Sequence, residues 1–174
     1  MSGPRHTELV LALYPFARGI AFTFFEAPLS PIDWGIKEVR GPERTARALE
    51  VAKSLIDRLQ PDSLVLADPT DQIGKRSERV KRVEKLIVNY AIGQSVDVHR
   101  YSRTDIRACF RGVGARTRYE IAQAIAAQIH AFGLKLPPVR KIWKREDERM
   151  SLFDAASLAM THYCAGEPLP PQDY

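Results

Sequence analysis

Apolar residues fall along this chain first in short unbroken runs and then at helical spacing. Leu9 to Leu13 is a five-residue apolar run ended by Tyr14-Pro15, which predicts a buried strand. Gly19 to Phe25, rich in aromatic and aliphatic residues, predicts a second. Glu26 to Asp33 carries Pro28 and Pro31 and reads as a loop. Trp34 to Arg40 sets Trp34, Ile36 and Val39 among polar positions and reads as a third, half-exposed strand.

The rhythm then changes. Pro42 suits the first turn of a helix, where its missing N–H costs nothing. Ala48, Leu49, Ala52, Leu55, Ile56 and Leu59 follow at helical spacing, and Pro61-Asp62 ends the pattern. Ser63 to Ala67 predicts a fourth strand with Asp68-Pro69 at its carboxyl end. Lys75 to Tyr90 is helical again, with Val80, Val83, Leu86, Ile87 and Tyr90 on one face and basic residues around the rest. Ser95 to Arg100 predicts a fifth strand and Arg103 to Phe110 a short helix. After Gly112-Val113-Gly114, Thr117 to Phe132 reads as one long alanine-rich helix. Leu134 to Trp143 is a basic, proline-containing connection, and Arg145 to Tyr163 the last helix. Residues 166–174 carry three prolines and read as a loose tail after a single domain at 1–165.

Three leading strands suggest an antiparallel meander. The later strands, separated by helices, suggest parallel pairing through right-handed crossovers. The expected fold is α/β, a mixed five-stranded sheet with helices on both faces. With 174 residues, 45% of them hydrophobic, the chain can build a core without a metal or disulfide staple. The net charge of +5 is compatible with a nucleic-acid partner and does not demand one. Cys109 and Cys164 fit no metal motif, and two small, partly buried thiols point to a reducing compartment. No apolar stretch approaches a membrane span or a signal peptide, so the expected location is cytoplasmic. His99, His130 and His162 share no ligand spacing and read as structural.

Four segments narrow the fold. Leu11 to Arg18 (LALYPFAR) resembles the first-strand motif of RuvC-type Holliday-junction resolvases, which ends in Asp-Pro-Gly-Ser-Arg. Gln60 to Asp68 (QPDSLVLAD) is similar to that family's fourth strand, which ends in a catalytic glutamate. Gly112 to Arg118 (GVGARTR) resembles its Gly-Ile-Gly turn, where a lysine approaches the site. Asp154 to His162 (DAASLAMTH) resembles its terminal helix motif. The likeness spans roughly residues 9 to 163. It implies a ribonuclease H-like fold, a homodimer and branched DNA as partner. It also implies phosphodiester hydrolysis by two Mg²⁺ or Mn²⁺ ions about 4 Å apart, held by carboxylates from separate strands and a helix.

The chain departs from that pattern where the chemistry sits. Tyr14 occupies the first-strand aspartate position, and a neutral phenol is a poor Mg²⁺ ligand. Ala67 aligns with the glutamate, and Asp68 comes one residue later. On a strand that shift turns the side chain to the other face, so Asp68 serves only if a bulge or the strand end re-aims it. Asp154 is kept, while Ser151 stands where the family has another acid. Asp147 lies on the same helical face two turns earlier and is the substitute candidate. Arg118 takes the place of the basic residue near the scissile phosphate. The candidate catalytic set is therefore Asp68, Asp147, Asp154 and Arg118, with Asp68 and Asp154 as metal ligands.

Lys75, Arg76, Arg79, Arg82 and Lys85, together with Arg103, Arg107, Arg111, Arg116 and Arg118, form the candidate phosphate-binding surface. Trp143 could stack on a base, with packing against the core the favoured alternative. The interface of the implied dimer falls on the amphipathic Lys75 to Tyr90 segment, through Leu86 and Tyr90. Three functions follow in order of preference. The first is a structured-DNA binder with a degenerate nuclease site. The second is a metal-dependent junction endonuclease with a rearranged site. The third is a protein-interaction module on a decayed nuclease fold.

Overall fold

The computed structural model describes residues 8–71 and 76–164. Lys75 and the proline-rich tail lie outside them. Strand β1 (Val10–Phe16) pairs antiparallel with β2 (Gly19–Ala27), and β2 pairs antiparallel with β3 (Ser30–Glu38). Helix α1 (Arg44–Leu59) leads to β4 (Ser63–Ala67), and α2 (Glu78–Gly93) leads to β5 (Asp97–Tyr101). Strands β1, β4 and β5 are parallel, giving the sheet order β3-β2-β1-β4-β5. The chain continues through α3 (Arg103–Phe110), a 3-10 turn at Arg111–Val113, α4 (Arg118–Gln128), the short α5 (His130–Gly133) and α6 (Arg149–Cys164). The mixed five-stranded sheet with helices on both faces is as expected.

Burial explains the reading of β1. It is the central strand, and its side chains alternate between two cores. Val10 and Ala12 join the core under α3, α4 and α6, with Tyr14 and Phe16 packed against its edge. Leu11 and Leu13 join the core under α1 and α2. A strand covered on both faces has no polar side to show, so it appears in sequence as an unbroken apolar run. Helix α6 is the extreme case, with every residue from Met150 to Thr161 buried. Where β2 begins, a Cβ on Gly19 would stand 2.1 Å from the Lys37 carbonyl oxygen, so only glycine admits this close approach.

Several boundaries differ from expectation. Strand β3 starts at Ser30, inside the expected loop. Helix α1 starts at Arg44, past Pro42. The long helix after Thr117 breaks at Ile129, whose backbone is extended (φ −116°, ψ 99°). Helix α6 begins at Arg149, because the Asp147 carboxylate accepts the Arg149 backbone N–H at 3.0 Å and holds the preceding turn. Trp143 does not cap the core. It is 79% exposed, beside an Ile142 that is 93% exposed. Cys109 and Cys164 are not free thiols. They form a disulfide joining α3 to the end of α6, so the inference from unpaired thiols to a reducing compartment loses its basis. Among the described residues no helix is long and apolar enough to cross a membrane.

Candidate functional site

The alternation of the strands decides what faces α6. Tyr14 has the parity of Val10 and Ala12, and Ala67 has the parity of Val65. Both therefore look toward α6, which carries Asp154. By parity Asp68 belongs to the opposite face, but β4 ends at Ala67. Asp68 enters a turn in which its Oδ1 accepts from the Thr70 backbone N–H (2.8 Å) and from the Thr70 hydroxyl (2.7 Å). Its own N–H donates to the Tyr101 carbonyl at 2.9 Å. The strand end re-aims the carboxylate, and one cavity is lined by Tyr14, Asp68, Asp71, Arg76, Arg103 and Asp154, among others. At about 30 Å³ it holds one or two waters.

Asp154 is not free within that cavity. The Arg118 Nε donates to its two oxygens at 2.9 and 3.1 Å, and a second Arg118 nitrogen grips Oδ2. Arg103 adds an ion pair at 3.9 Å. The far side of the Arg118 guanidinium pairs with Glu146. Burial by itself weakens Arg118's hold on its proton, and the Asp154 carboxylate more than offsets this, raising the pKa above its ordinary value. Arg76 stacks on the Tyr14 ring at 5.4 Å and is held from behind by Glu84 on α2. Glu84 is 1% exposed and also meets Arg100 at 3.5 Å. Burial pushes the Tyr14 phenol up, and the Asp154 charge pushes it the same way, so Tyr14 stays neutral at physiological pH. Hydrogen bonds from Thr70 hold Asp68 below the usual carboxylate range.

The structure thus brings Asp68, Asp154, Arg118 and Tyr14 together. Asp147 lies outside the cavity, in a shallow groove shared with Tyr14, Arg118, Glu146 and Ser151, and is gripped by Arg149 at 3.0 and 2.7 Å. Sequence reasoning missed Glu84 and Glu146. A lone acid on the apolar face of a basic helix, aligned with Val80, Val83 and Ile87, was the available signal for Glu84.

As arranged here, these residues do not present the open carboxylate cluster that a pair of divalent cations takes. Such ions need several carboxylate oxygens with lone pairs to spare. Here both Asp154 oxygens accept from arginine, one Asp68 oxygen accepts twice from Thr70, one Asp71 oxygen accepts the Arg103 backbone N–H at 2.6 Å, and the remaining strand positions hold a phenol and a methyl group. Arg76 and Arg103 bring two more positive charges to the same space. The arrangement is chemically a guanidinium–carboxylate cluster.

Beside it runs a groove of about 810 Å³ lined by Arg107, Arg111, Arg116 and Arg118, with Thr104 and Thr117. Arg82 and Lys85 point to solvent, whereas Arg76 is turned inward and Arg79 donates to the Ala17 carbonyl at 2.6 Å. Leu86 is exposed on the expected dimer face. Tyr90 is engaged within the chain, donating to Asp57 at 2.5 Å.

No family model and no curated protein matches the chain in sequence. Solved structures do match in fold. The Thermus thermophilus RuvC structure superposes with a TM-score of 0.66 at 15% identity, covering 90% of this chain and 95% of that one. The T. thermophilus RuvC complex with a Holliday-junction substrate gives 0.65 at 16% identity, covering 91% and 94%. The yeast mitochondrial Holliday-junction resolvase gives 0.60 at 13% identity, covering 95% and 82%. The fold is RuvC-like, within the ribonuclease H-like class.

Proposed function

We propose that this chain binds branched or otherwise structured DNA through a RuvC-like fold whose nuclease centre has become a guanidinium–carboxylate cluster. One observation carries the reading: Asp154, the acid kept from the family motif, is occupied by Arg118 and Arg103. A carboxylate in that state serves as a counter-ion to arginine. The groove of Arg107, Arg111 and Arg116 then supplies sequence-independent phosphate contacts. The similarity to a RuvC complexed with a Holliday junction supports branched DNA as the ligand. A four-way junction presents two symmetry-related strands, one to each subunit, so the reading includes a homodimer, with residues 1–165 of each copy acting as one domain.

The test incubates purified protein with labelled four-way junction and matching linear duplex in Mg²⁺, Mn²⁺ or EDTA, and scores binding and cutting together. The expected result is junction binding that weakens steeply with salt, persists in EDTA, and yields no cuts. Symmetric metal-dependent cuts would establish an endonuclease with a rearranged site. Absence of binding at low salt would leave the interaction module.

A further inference from the structure

On the face of the sheet that carries α6, across Tyr101 from the acidic cavity, three metal-type donors converge. Glu8 precedes β1, His99 lies on β5 and His162 lies near the end of α6. One ligand atom from each falls within 4.8 Å of the other two. His99 and Tyr101 share a face of β5, and that face meets α6, which is why His162 arrives between them. The two imidazole rings stand 4.5 Å apart between centroids.

We propose that Glu8, His99 and His162 form a binding site for one zinc-class divalent cation. The donor set of two imidazoles and one carboxylate suits a borderline ion such as Zn²⁺ rather than Mg²⁺ or Ca²⁺, which prefer oxygen throughout. Around a tetrahedral ion with bonds of about 2.1 Å, ligand atoms sit roughly 3.4 Å apart. The His162 Nε2 to Glu8 Oε1 separation is already 3.0 Å. Binding replaces that hydrogen bond with two metal bonds and needs only small shifts.

The supporting contacts are in place. Tyr101 Oη lies 2.7 Å from His162 Nδ1, which fixes the ring so that Nε2 faces Glu8. The Ser63 hydroxyl donates to the Glu8 carboxylate. Metal-bound histidines use their second nitrogen in this way, and metal-bound carboxylates are themselves hydrogen-bonded. Asp154 and His162 lie eight residues apart on α6, about 12 Å along the helix axis. An ion here does not reach the acidic cavity. It ties the segment before β1 to β5 and to the end of α6, so its role is structural and independent of the DNA-binding proposal.

The test uses tag-free full-length protein stripped with EDTA and desalted, titrated with Zn²⁺ against a chromophoric chelator, with Co²⁺ as a spectroscopic probe. The expected result is one ion per chain. The Co²⁺ spectrum should be tetrahedral with nitrogen and oxygen ligands and no thiolate band, and the melting temperature should rise with Zn²⁺. Glu8→Gln and His99→Ala should each weaken binding at least tenfold. Tyr101→Phe should weaken it by about 10-fold or more through loss of the His162 anchor. Asp154→Asn should bind Zn²⁺ as the parent does. Failure of the parent protein to bind one equivalent overturns the proposal, as does undiminished binding by folded Glu8→Gln and His99→Ala proteins.

Discussion

Replacing Asp154 with asparagine separates the two readings of the acidic cavity. The substitution keeps the shape of the side chain and removes one negative charge from a position 7% exposed. Arg118 loses a bidentate partner at 2.9 and 3.1 Å, and Arg103 loses its ion pair at 3.9 Å. Removing one member of a buried pair costs about 3–5 kcal/mol when the other is stranded. Arg118 is not wholly stranded, because Glu146 still pairs with it and the asparagine oxygen still accepts one bond. A loss of about 2–3 kcal/mol is therefore expected, at the level of one charge-assisted hydrogen bond. For a chain of this size that lowers the melting temperature by roughly 4–12 °C. DNA binding should move the other way. The variant frees a guanidinium beside the Arg107, Arg111 and Arg116 groove, so one more phosphate contact becomes available. The slope of log affinity against log salt should steepen by up to about 0.9. Fluorescence anisotropy on a labelled junction between 50 and 200 mM salt, in EDTA, reads this directly; those salt limits are about the range over which phosphate contacts dominate. If the parent protein cuts junctions in Mn²⁺ or Mg²⁺ and Asp154→Asn abolishes the cutting, Asp154 is a metal ligand and the counter-ion argument is wrong.

Other outcomes follow from the same geometry. Glu84→Ala strands the inward-turned Arg76 and takes an ion pair from Arg100, which keeps its bond to the Ala67 carbonyl at 3.0 Å; it should cost about 3 kcal/mol and be visible as a large loss in thermal or urea unfolding. Arg116→Ala and Arg111→Ala should each lower the salt slope of DNA binding by about 0.9 without altering the preference for junction over duplex. A variant that instead changes that preference would show that the groove reads shape. Glu120 closes the capping box of α4 by accepting the Arg116 and Thr117 backbone N–H groups at 2.8 and 3.1 Å, which holds its carboxyl below 4.5. Because the folded-state pKa is depressed, this part of the cap is complete above 4.5 and fades as pH falls through the folded midpoint. An NMR titration placing the Glu120 midpoint at or above 4.5 would contradict it.

What the sequence disclosed depends on how far apart the interacting residues lie. Strands β1, β2 and β4 were legible because burial on both faces writes itself as a contiguous apolar run. The start of β3 was hidden by Pro28 and Pro31. Proline is tolerated only on edge strands or at bulges. Here β3 is the edge strand and Pro31 pairs with Phe25 at a register shift. A residue read as a breaker is therefore compatible with the strand once its neighbour is known. The break at Ile129 has no such explanation in the residues around it.

The functional residues divide along the same line. Asp68, Asp154 and Arg118 were found because each lies in a contiguous motif. What Asp154 does was not legible, since the partners that occupy it are Arg118, 36 residues away, and Arg103. The Glu8 to His162 contact spans 154 residues, and the Cys109 to Cys164 link spans 55. All of these meet on α6, whose middle is buried all round and so carries little pattern in sequence beyond its apolar content. A buried helix is where a sequence is least informative about direction, because every face is a packing face. It is also where a polar residue is most informative about function, because burial leaves it no solvent to fall back on. Asp154 meets that test, and the half-buried His162 at the helix end comes near it, each drawing partners from other elements. In this chain the polar residues of α6 are the ones to mutate first.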